Sequence, residues 1–240
     1  MDRARGKEPV VDKLSPTLIL LAVLIACAAP ARKGGEVIRE EVQATSTARV
    51  VLPPPARAGR MSLEEALARR RSVRELSHRP LSDQELSQLL WATQGITHPE
   101  GLRTAPSAGA LYPLELYVAT AGGCYHYDPR HHELRRHFEG DLRPALYRAA
   151  LAQEPVLEAP AVFLIAAVYE RTAQKYGEAR SPRYVHLEAG HAAQNLLLQA
   201  VALGLGAVPI GAFQDAQVQK VVSLPAEQRP VYLIPVGHPR

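Results

Sequence analysis

The sequence has few of the residues that build disulfide frameworks or nucleic-acid grooves. Its 240 residues include only two cysteines, Cys27 and Cys124, without the short spacing of metal ligands. This argues against a disulfide framework. Aromatic residues make up 5% of the chain, and no dense block of Lys and Arg interleaves with them. A nucleic-acid groove is therefore not expected, although the net charge of +4 suits an anionic ligand.

The chain also lacks an apolar run of membrane-spanning length. The segment Leu14–Ala26 is apolar but shorter than the roughly 20 residues of a transmembrane helix. It ends in the sequence LIAC, which resembles the lipobox of bacterial lipoproteins, in which the cysteine is lipidated. We therefore expect an exported lipoprotein, held at a membrane through Cys27. A simple secretory signal or short anchor is the alternative, and a downstream translation start would make the protein cytoplasmic.

The remaining residues have the composition of a folded domain. Hydrophobic residues make up 47% of the chain and charged residues 22%, as in globular proteins. Residues 28–60 carry mixed charges and the sequence LPPP, which favours extended backbone. The sequence therefore predicts a signal or lipoprotein segment (1–27), a tether (28–60) and one folded domain (61–240).

Helices and strands are predicted from capping residues and apolar periodicity. Ser62 with Glu65, and Ser82 with Glu85, fit the capping box that begins a helix. Helices are also predicted over 141–153 and 184–203. The predicted strands cover 114–119, a hairpin over 124–138, the continuous apolar run 161–168, and the runs 207–210 and 231–236. Because helices and strands mix without strict alternation, the fold class is α+β.

Two segments carry residues suited to binding an anion. ARRRSVREL (68–76) places four arginines and a serine at the end of the first helix, enough to hold a phosphate through bidentate contacts. A solvated basic helix end explains the same composition, and composition alone favours that explanation. RTAPSAGALYPLELYV (103–118) combines two prolines and Gly109 in a turn that leads into a strand, so its backbone can approach a ligand closely.

Five motifs in order resemble one known family. They are RRRSVREL (69–76), PLSDQELSQLLWATQGIT (80–97), RTAPSAGALYPLELYV (103–118), LEAGHAAQNLLLQAVALGLGAVPIGAF (187–213) and YLIPVGHPR (232–240). Together they resemble the nitroreductase superfamily, and most of all its SagB-type dehydrogenase branch, the flavin-dependent azoline oxidases. The resemblance covers about residues 50–240. It implies an FMN-dependent oxidoreductase with an α+β sandwich, in which helices flank a mostly antiparallel sheet, and a homodimer with flavin at the subunit interface.

The resemblance also implies roles for individual residues. Arg70 and Ser72 would bind the FMN phosphate, and Arg74 would reach the pyrimidine edge of the ring, where a reduced flavin carries negative charge. The turn along the flavin, donated by the partner subunit, comprises Pro106, Ser107, Ala108, Gly109 and Leu111. Many family members have asparagine where Ala110 stands here, so no side-chain contact to the ring is expected from that position.

The resemblance places further groups on the other side of the ring. The segment PIGAF (209–213) would form a second flavin wall, with the N–H of Ile210 or Gly211 directed at N5. Arg240 would be a second phosphate ligand. Lys175 and Tyr176 resemble the acid/base pair of azoline oxidases, which remove a proton as hydride leaves for N5. An exposed loop is the alternative for this pair.

Other polar groups are given structural interpretations. Glu188, His191, Gln194 and Asn195 lie on the apolar helix 184–203 and are interpreted as interface hydrogen-bonding groups, with active-site groups as the alternative. His126, His131, His132 and His137 fit no zinc spacing, so no metal site is predicted.

The expected activity has two forms and one alternative. A small molecule or a peptide azoline could be oxidised, or a nicotinamide donor could support reduction of nitro or quinone compounds. Azoline oxidases work on ribosomal peptides in the cytoplasm, whereas the N-terminal segment predicts export. The alternative from another class is a lipid-anchored binding or assembly protein on the same scaffold without catalysis.

Overall fold

The computed structural model describes residues 48–240, so the predictions for residues 1–47, including Cys27, lie outside the described residues. Seven strands of the described part form one sheet in the order β1-β4-β3-β2-β5-β7-β6, and each neighbouring pair of strands is antiparallel. The strands are β1 (Arg49–Val51), β2 (Leu114–Thr120), β3 (Gly123–Asp128), β4 (Glu133–Glu139), β5 (Ala161–Val168), β6 (Gly206–Ala207) and β7 (Gln228–Gly237). The antiparallel α+β sandwich expected from the sequence is confirmed.

Seven α-helices accompany this sheet in the described residues. They are α1 (Leu63–Arg69), α2 (Asp83–Gln94), α3 (Arg143–Ala149), α4 (Glu154–Glu158), α5 (Tyr169–Tyr176), α6 (Ser181–Ala202) and α7 (Asp215–Val222), with one 3-10 turn over Ala108–Ala110. One core cluster joins helices α2 and α6 to the sheet, and the other joins helices α3, α4 and α7 to it. The molecule therefore has three layers, with the sheet in the middle.

Strand β5 shows why a continuous apolar run predicts a central strand. All eight of its residues are buried, and successive side chains enter opposite cores. Phe163 and Ile165 belong to the core beneath α2 and α6, whereas Val162 and Leu164 belong to the other core. A strand covered on both faces needs apolar residues at every position, because side chains alternate between its faces.

The predicted helix starts are found where the sequence placed them. The Ser62 hydroxyl accepts the N–H of Glu65 at the start of α1. Ser82 and Glu85 form the complete reciprocal capping box at the start of α2, and the helix ends at Gly95. These local contacts satisfy backbone N–H groups that have no partner inside the first turn of a helix.

The folded region begins before residue 61, so the predicted tether is too long at its C-terminal end. Strand β1 pairs with β4, and Leu52 is buried in the core. The N–H of Ala56 then donates to the Gln88 side chain at 2.8 Å. Prolines at 53–55 allow an extended segment to pack against α2, and an extended segment with prolines resembles a tether when only its composition is considered.

Two predicted helices have different bounds in the structure. The helix predicted over 141–153 ends at Ala149, because Leu151 and Ala152 adopt positive φ angles and a separate short helix follows. The helix predicted over 184–203 begins earlier, at Ser181, with Pro182 in its first turn. Within residues 48–240, no helix combines the length and apolarity needed to cross a membrane.

Candidate functional site

The turn at 106–112 has an unusual backbone for its sequence. Gly109 has φ +63°, and the non-glycine residues Ala110 and Tyr112 also adopt positive φ angles of 55° and 46°. Such angles cost roughly 1–2 kcal/mol for each non-glycine residue, so the surrounding structure must hold them. The Ser107 hydroxyl closes the turn by accepting the N–H of Tyr112 at 2.9 Å. The result is a fixed turn, exposed at Gly109 and Ala110.

Lys175 and Tyr176 lie directly against this turn. A methyl group added at Gly109 would be 2.9 Å from the Lys175 Nζ atom and 3.1 Å from the Tyr176 hydroxyl. Both residues belong to the last turn of α5, and the Tyr176 ring also contacts the ring of Tyr184 on α6 with 4.6 Å between centroids. The pair is therefore on a helix rather than in an exposed loop, and it faces the turn that the sequence predicted to contact flavin.

An ion pair holds α5 onto the turn. The Arg171 guanidinium donates to the Tyr112 carbonyl at 3.1 Å and pairs with the Glu115 carboxylate on β2. Burial would raise the pKa of Glu115, but hydrogen bonds from His126 and Arg171 outweigh it and hold the pKa below its usual value. Since Arg171 precedes Lys175 by one helical turn, this clamp fixes Lys175 relative to the turn.

A buried carboxyl lies near the turn. Glu188 of α6 is 2% exposed, and burial raises its pKa to about 7, opposed by the Ser107 hydroxyl and the Arg103 guanidinium. Its Oε1 atom has no hydrogen-bond partner in the described chain, nor do Arg103 Nε and Gln94 Nε2. Arg103 Nη1 donates to Gln94 Oε1 at 2.8 Å. Glu188, Arg103 and Gln94 are therefore buried polar groups whose hydrogen-bonding capacity is only partly used within the described residues.

The arginines at the end of α1 differ in their contacts. Arg69 pairs with Glu65 at 2.6 Å, and Arg71 donates to the carbonyls of Ala68 and Arg70. Arg70 and Arg74, in contrast, make no ion pair or side-chain hydrogen bond within residues 48–240. Arg69 and Arg71 therefore make contacts within the end of α1, whereas Arg70 and Arg74 remain available for an anion.

The segment after α1 lies beside the predicted second flavin wall. Ser72 forms a parallel bridge with Ala207, and the N–H of Val73 donates to the Ala207 carbonyl at 3.0 Å. The N–H of Ile210 donates to Leu233 at 2.8 Å and so is already used by the sheet. The exposed Gly211 has an N–H without a partner among the described residues. Of the two N–H groups predicted to face N5, only that of Gly211 is available.

Arg240 lies in the same region but has an intramolecular partner. Its N–H donates to the Glu75 carbonyl at 3.1 Å, which places it next to Arg74 in the adjacent segment. Its guanidinium pairs with Glu158 at 3.1 Å. To reach a phosphate, this side chain would have to leave Glu158.

The predicted site residues thus form two groups: those around Ser72 lie near the start of β5 and the 106–112 turn lies near its end, while Ile210 lies level with the middle of the strand through Leu233 and Leu164. Ser72 lies beside Ala207, which pairs with Val236 near the start of β5, whereas the 106–112 turn lies beside Val168 at its end. Eight residues of strand span about 23 Å. No hydrogen bond or ion pair of the described chain connects the two groups.

Acidic and histidine side chains on the β3–β4 hairpin also lie close together. Asp128, His131 and Glu133 bring three potential ligand atoms within 4.8 Å of one another. Arg135 pairs with both carboxylates, so a guanidinium already supplies the positive charge at this cluster. The cluster is therefore explained as an ion-pair network that closes the hairpin.

The sequence profile of the nitroreductase family matches residues 67–238. The chain belongs to this family. A Methanocaldococcus jannaschii protein named as a nitroreductase is 44% identical over 183 residues, covering 74% of this chain and 91% of the relative. A solved structure from Ralstonia eutropha, also named as a nitroreductase, has a TM-score of 0.72 at 31% identity, covering 82% of this nitroreductase-family chain and 91% of the other.

Other similar proteins include a toxin-processing protein and a microcin synthetase. The trifolitoxin-processing protein TfxB of Rhizobium leguminosarum is 30% identical over 145 residues, which are 52% of this chain and 36% of TfxB. An E. coli microcin synthetase McbBCD structure matches with TM-score 0.64 and 21% identity, over 80% of this chain and 77% of the other. The NADPH:FMN oxidoreductase of Vibrio harveyi matches with TM-score 0.56 and 23% identity, over 74% and 68%. At these identities the two structures show the fold alone.

The polar groups around the turn were only partly predicted. The roles of Arg103, Glu115 and Arg171 were not predicted, because their partners are distant in the sequence. The burial of Glu188 could have been predicted, since Glu188 lies on the buried face of α6 that includes Val185, Ala192 and Leu196. A buried carboxyl is costly unless polar groups lie near it, and the structure supplies such groups near the turn.

Proposed function

We propose that this nitroreductase-family oxidoreductase binds FMN and catalyses hydride transfer between a substrate and N5 of the flavin, as a SagB-type dehydrogenase. The observation that carries the proposal is the contact of Lys175 and Tyr176 with Gly109. The candidate acid/base pair lies against a turn that is exposed at Gly109 and Ala110. Membership of the nitroreductase family supports an oxidoreductase, and the similarity to the trifolitoxin-processing protein TfxB supports the SagB-type branch.

The chemistry of the available groups fits FMN. The guanidinium of Arg70 and the hydroxyl of Ser72 would hold the phosphate, and Arg74 would lie at the pyrimidine edge of the ring. The N–H of Gly211 would donate to the ring from the segment beside Ser72. When bound, FMN would supply a two-electron acceptor and donor at N5.

We further propose that the site is completed in a homodimer. Ser72 and the 106–112 turn lie near opposite ends of β5. A two-fold axis would therefore bring the phosphate-binding residues of one subunit to the 106–112 turn of the other. Leu63 and Leu67 support such an interface, since they lie one turn apart on α1 and are 61% and 52% exposed. Helix α6 contributes Leu187, which is also exposed.

In the azoline-oxidising form of the reaction, the Lys175–Tyr176 pair would accept the proton from one substrate carbon while hydride leaves the other. The substrate would thus lose one proton to the pair and one hydride to the flavin, which together make a two-electron oxidation. A nicotinamide donor needs no such base, since it transfers hydride directly. The substrate is a small molecule or a peptide carrying an azoline ring.

The test of the proposal is the flavin content of the full-length purified protein. We expect a yellow protein that releases FMN on denaturation and a molecular mass in solution twice that of the chain. A colourless protein that FMN cannot reconstitute would overturn the flavin assignment. It would favour the alternative, a non-catalytic binding or assembly protein on the same scaffold.

Replacing Gly109 with alanine is expected to slow flavin reduction by an azoline substrate at least about tenfold, because the added methyl group displaces Lys175 and Tyr176 from the turn. Stopped-flow reduction of the FMN-loaded variant measures this. Gly101→Ala is the matched control, since Gly101 also has a positive φ angle but nothing lies within 4 Å of an added methyl group. Equal rates for the two variants would mean that the contact at Gly109 has no functional role.

We also propose that the protein is exported and anchored through lipid on Cys27. In its native cells the protein is expected in the membrane fraction, with residues 1–26 absent, and Cys27→Ser is expected to release it into the soluble fraction. Fractionation and mass analysis of the N-terminus measure both results. Soluble protein that retains residues 1–26 would contradict the proposal and favour a cytoplasmic enzyme.

A further inference from the structure

A groove with basic residues at its surface lies beside the end of β1, and none of the residues proposed to bind flavin lines it. This basic groove has a volume of about 430 Å³. Its charged lining residues are Arg57 and Arg130, and no described residue that lines it carries a carboxylate. Its apolar walls are formed by prolines, aromatic rings and one isoleucine, which are Pro54, Pro55, Trp91, Ile96, Tyr127 and Pro129. The groove therefore offers a ligand both apolar surface and positive charge.

The two arginines of the basic groove have no partner for their charge. Both are exposed, and neither side chain makes an ion pair or a hydrogen bond within residues 48–240. Asp128 accepts the backbone N–H of Arg130 at 2.8 Å, but its carboxylate is paired with Arg135. Burial lowers the pKa of His132, which also lines the groove, so this ring is neutral near pH 7. The guanidinium groups of Arg57 and Arg130 are therefore available to an anionic ligand.

Hydrogen bonds hold the walls of the basic groove in place. The Ser87 hydroxyl donates to the Pro53 carbonyl at 2.6 Å, which fastens the proline segment to α2. His132 Nε2 lies 2.8 Å from the same hydroxyl, and His132 Nδ1 lies 2.9 Å from the Tyr127 hydroxyl. Because these groups are already fixed, a ligand would bind without the entropic cost of ordering them.

The basic groove lies at the same end of the sheet as the 106–112 turn. Because neighbouring strands are antiparallel, β1 and β3 end where β2 begins, and the turn directly precedes β2. Three strand spacings separate β1 from β2, about 15 Å, which about five extended residues can span. Ile96 of the groove wall also forms a bridge with Arg103, in the segment that leads into the turn. A peptide bound in the groove could therefore reach the turn.

We propose that the basic groove binds an extended, acidic segment of a peptide substrate, outside the ring that reacts at the 106–112 turn. Walls of proline and aromatic side chains suit an extended segment that contains proline and apolar residues. Carboxylates of the same segment would pair with Arg57 and Arg130. The assignment to the substrate rests on the proposed function, whereas the binding of the acidic peptide does not.

The first test is fluorescence anisotropy of the full-length protein with a labelled peptide in which two glutamates flank a Leu-Pro-Leu-Pro core. The control peptide has lysine in place of both glutamates. We expect the acidic peptide to bind at least about tenfold more tightly, because two attractive exposed pairs replace two repulsive ones, and the difference should shrink in high salt. Equal affinities for the two peptides, or no binding of the acidic peptide, would overturn the proposal.

Reversing the charge of both arginines should invert this preference. The double variant Arg57→Glu and Arg130→Glu is expected to bind the lysine peptide more tightly than the acidic one, a result that a loss of structure cannot produce. Arg79→Glu combined with Arg148→Glu is the matched control, since it makes the same change in net charge at exposed arginines outside the groove. An unchanged preference in the groove variant, or an inverted one in the control, would contradict the proposal.

Reduction of the FMN-loaded protein by azoline peptides separates this proposal from the proposed function. Flanking glutamates should lower KM and leave kcat unchanged, because the groove binds substrate and transition state alike. The double variant Arg57→Glu and Arg130→Glu should lose this advantage. If no azoline peptide reduces the flavin, the proposed function fails, and the anisotropy measurement still decides whether the groove binds acidic peptides. A KM independent of the glutamates, with selective binding intact, would assign the groove to another protein partner and overturn its assignment to the substrate.

Discussion

Lys175→Ala and Tyr176→Phe are each expected to slow flavin reduction by an azoline substrate about 10²–10⁴-fold, the usual range for loss of a positioned acid or base. Both variants should retain FMN, because neither side chain is proposed to bind the phosphate or the ring. Reduction by a nicotinamide donor should change little, since direct hydride transfer requires no base. Single-turnover reduction with each donor measures the contrast.

Two control variants distinguish this result from a general loss of structure. Lys220→Ala makes the same change in the last turn of α7, another helix of eight residues. Tyr147→Phe removes a hydroxyl that donates to Glu154 on the surface. Neither control should alter reduction by either donor. Small, equal effects of Lys175→Ala and Tyr176→Phe on both donors would remove the pair from the mechanism and leave only their contact with the turn.

Arg70→Ala and Ser72→Ala are expected to weaken FMN binding about tenfold or more while the fold is retained. A charge-assisted hydrogen bond to phosphate contributes roughly 1.5–3 kcal/mol, and each 1.4 kcal/mol corresponds to a factor of ten in affinity. Flavin content after purification and fluorescence titration of the flavin-free protein measure the loss. Circular dichroism checks that the fold is intact.

The neighbouring arginines supply the matched controls. Arg69 is paired with Glu65, and Arg71 caps the end of α1, so Arg69→Ala and Arg71→Ala should reduce helix stability slightly and leave FMN affinity near normal. Equal losses of affinity for all the arginine variants would indicate a diffuse basic patch. Normal flavin content in both Arg70→Ala and Ser72→Ala would place the phosphate elsewhere.

Local sequence determined most of the secondary structure. Ser62, Ser82 and Gly95 mark helix ends because capping is a contact between residues close in sequence. The all-apolar run of β5 predicted its burial on both faces, because strand side chains alternate. The ordered motifs identified the family, and the predicted turn, hairpin and long helix are present. The predicted bounds of the folded domain and of the helix over 141–153 were wrong, because tertiary contacts decide them: Leu52 lies in the core, and the helix breaks after Ala149.

The tertiary structure alone decided how the candidate site is assembled. Composition could not distinguish Arg70 from Arg71, because whether a cation is available depends on which partners lie within reach. The contact of Gly109 with Lys175, and the ion pair of Arg171 with Glu115, join residues from segments far apart in the sequence. Such contacts depend on the antiparallel sheet order and on the packing of α5 and α6, which no local pattern encodes. The sequence alone thus determined the elements and the family, and the packing of those elements determined which side chains can act together.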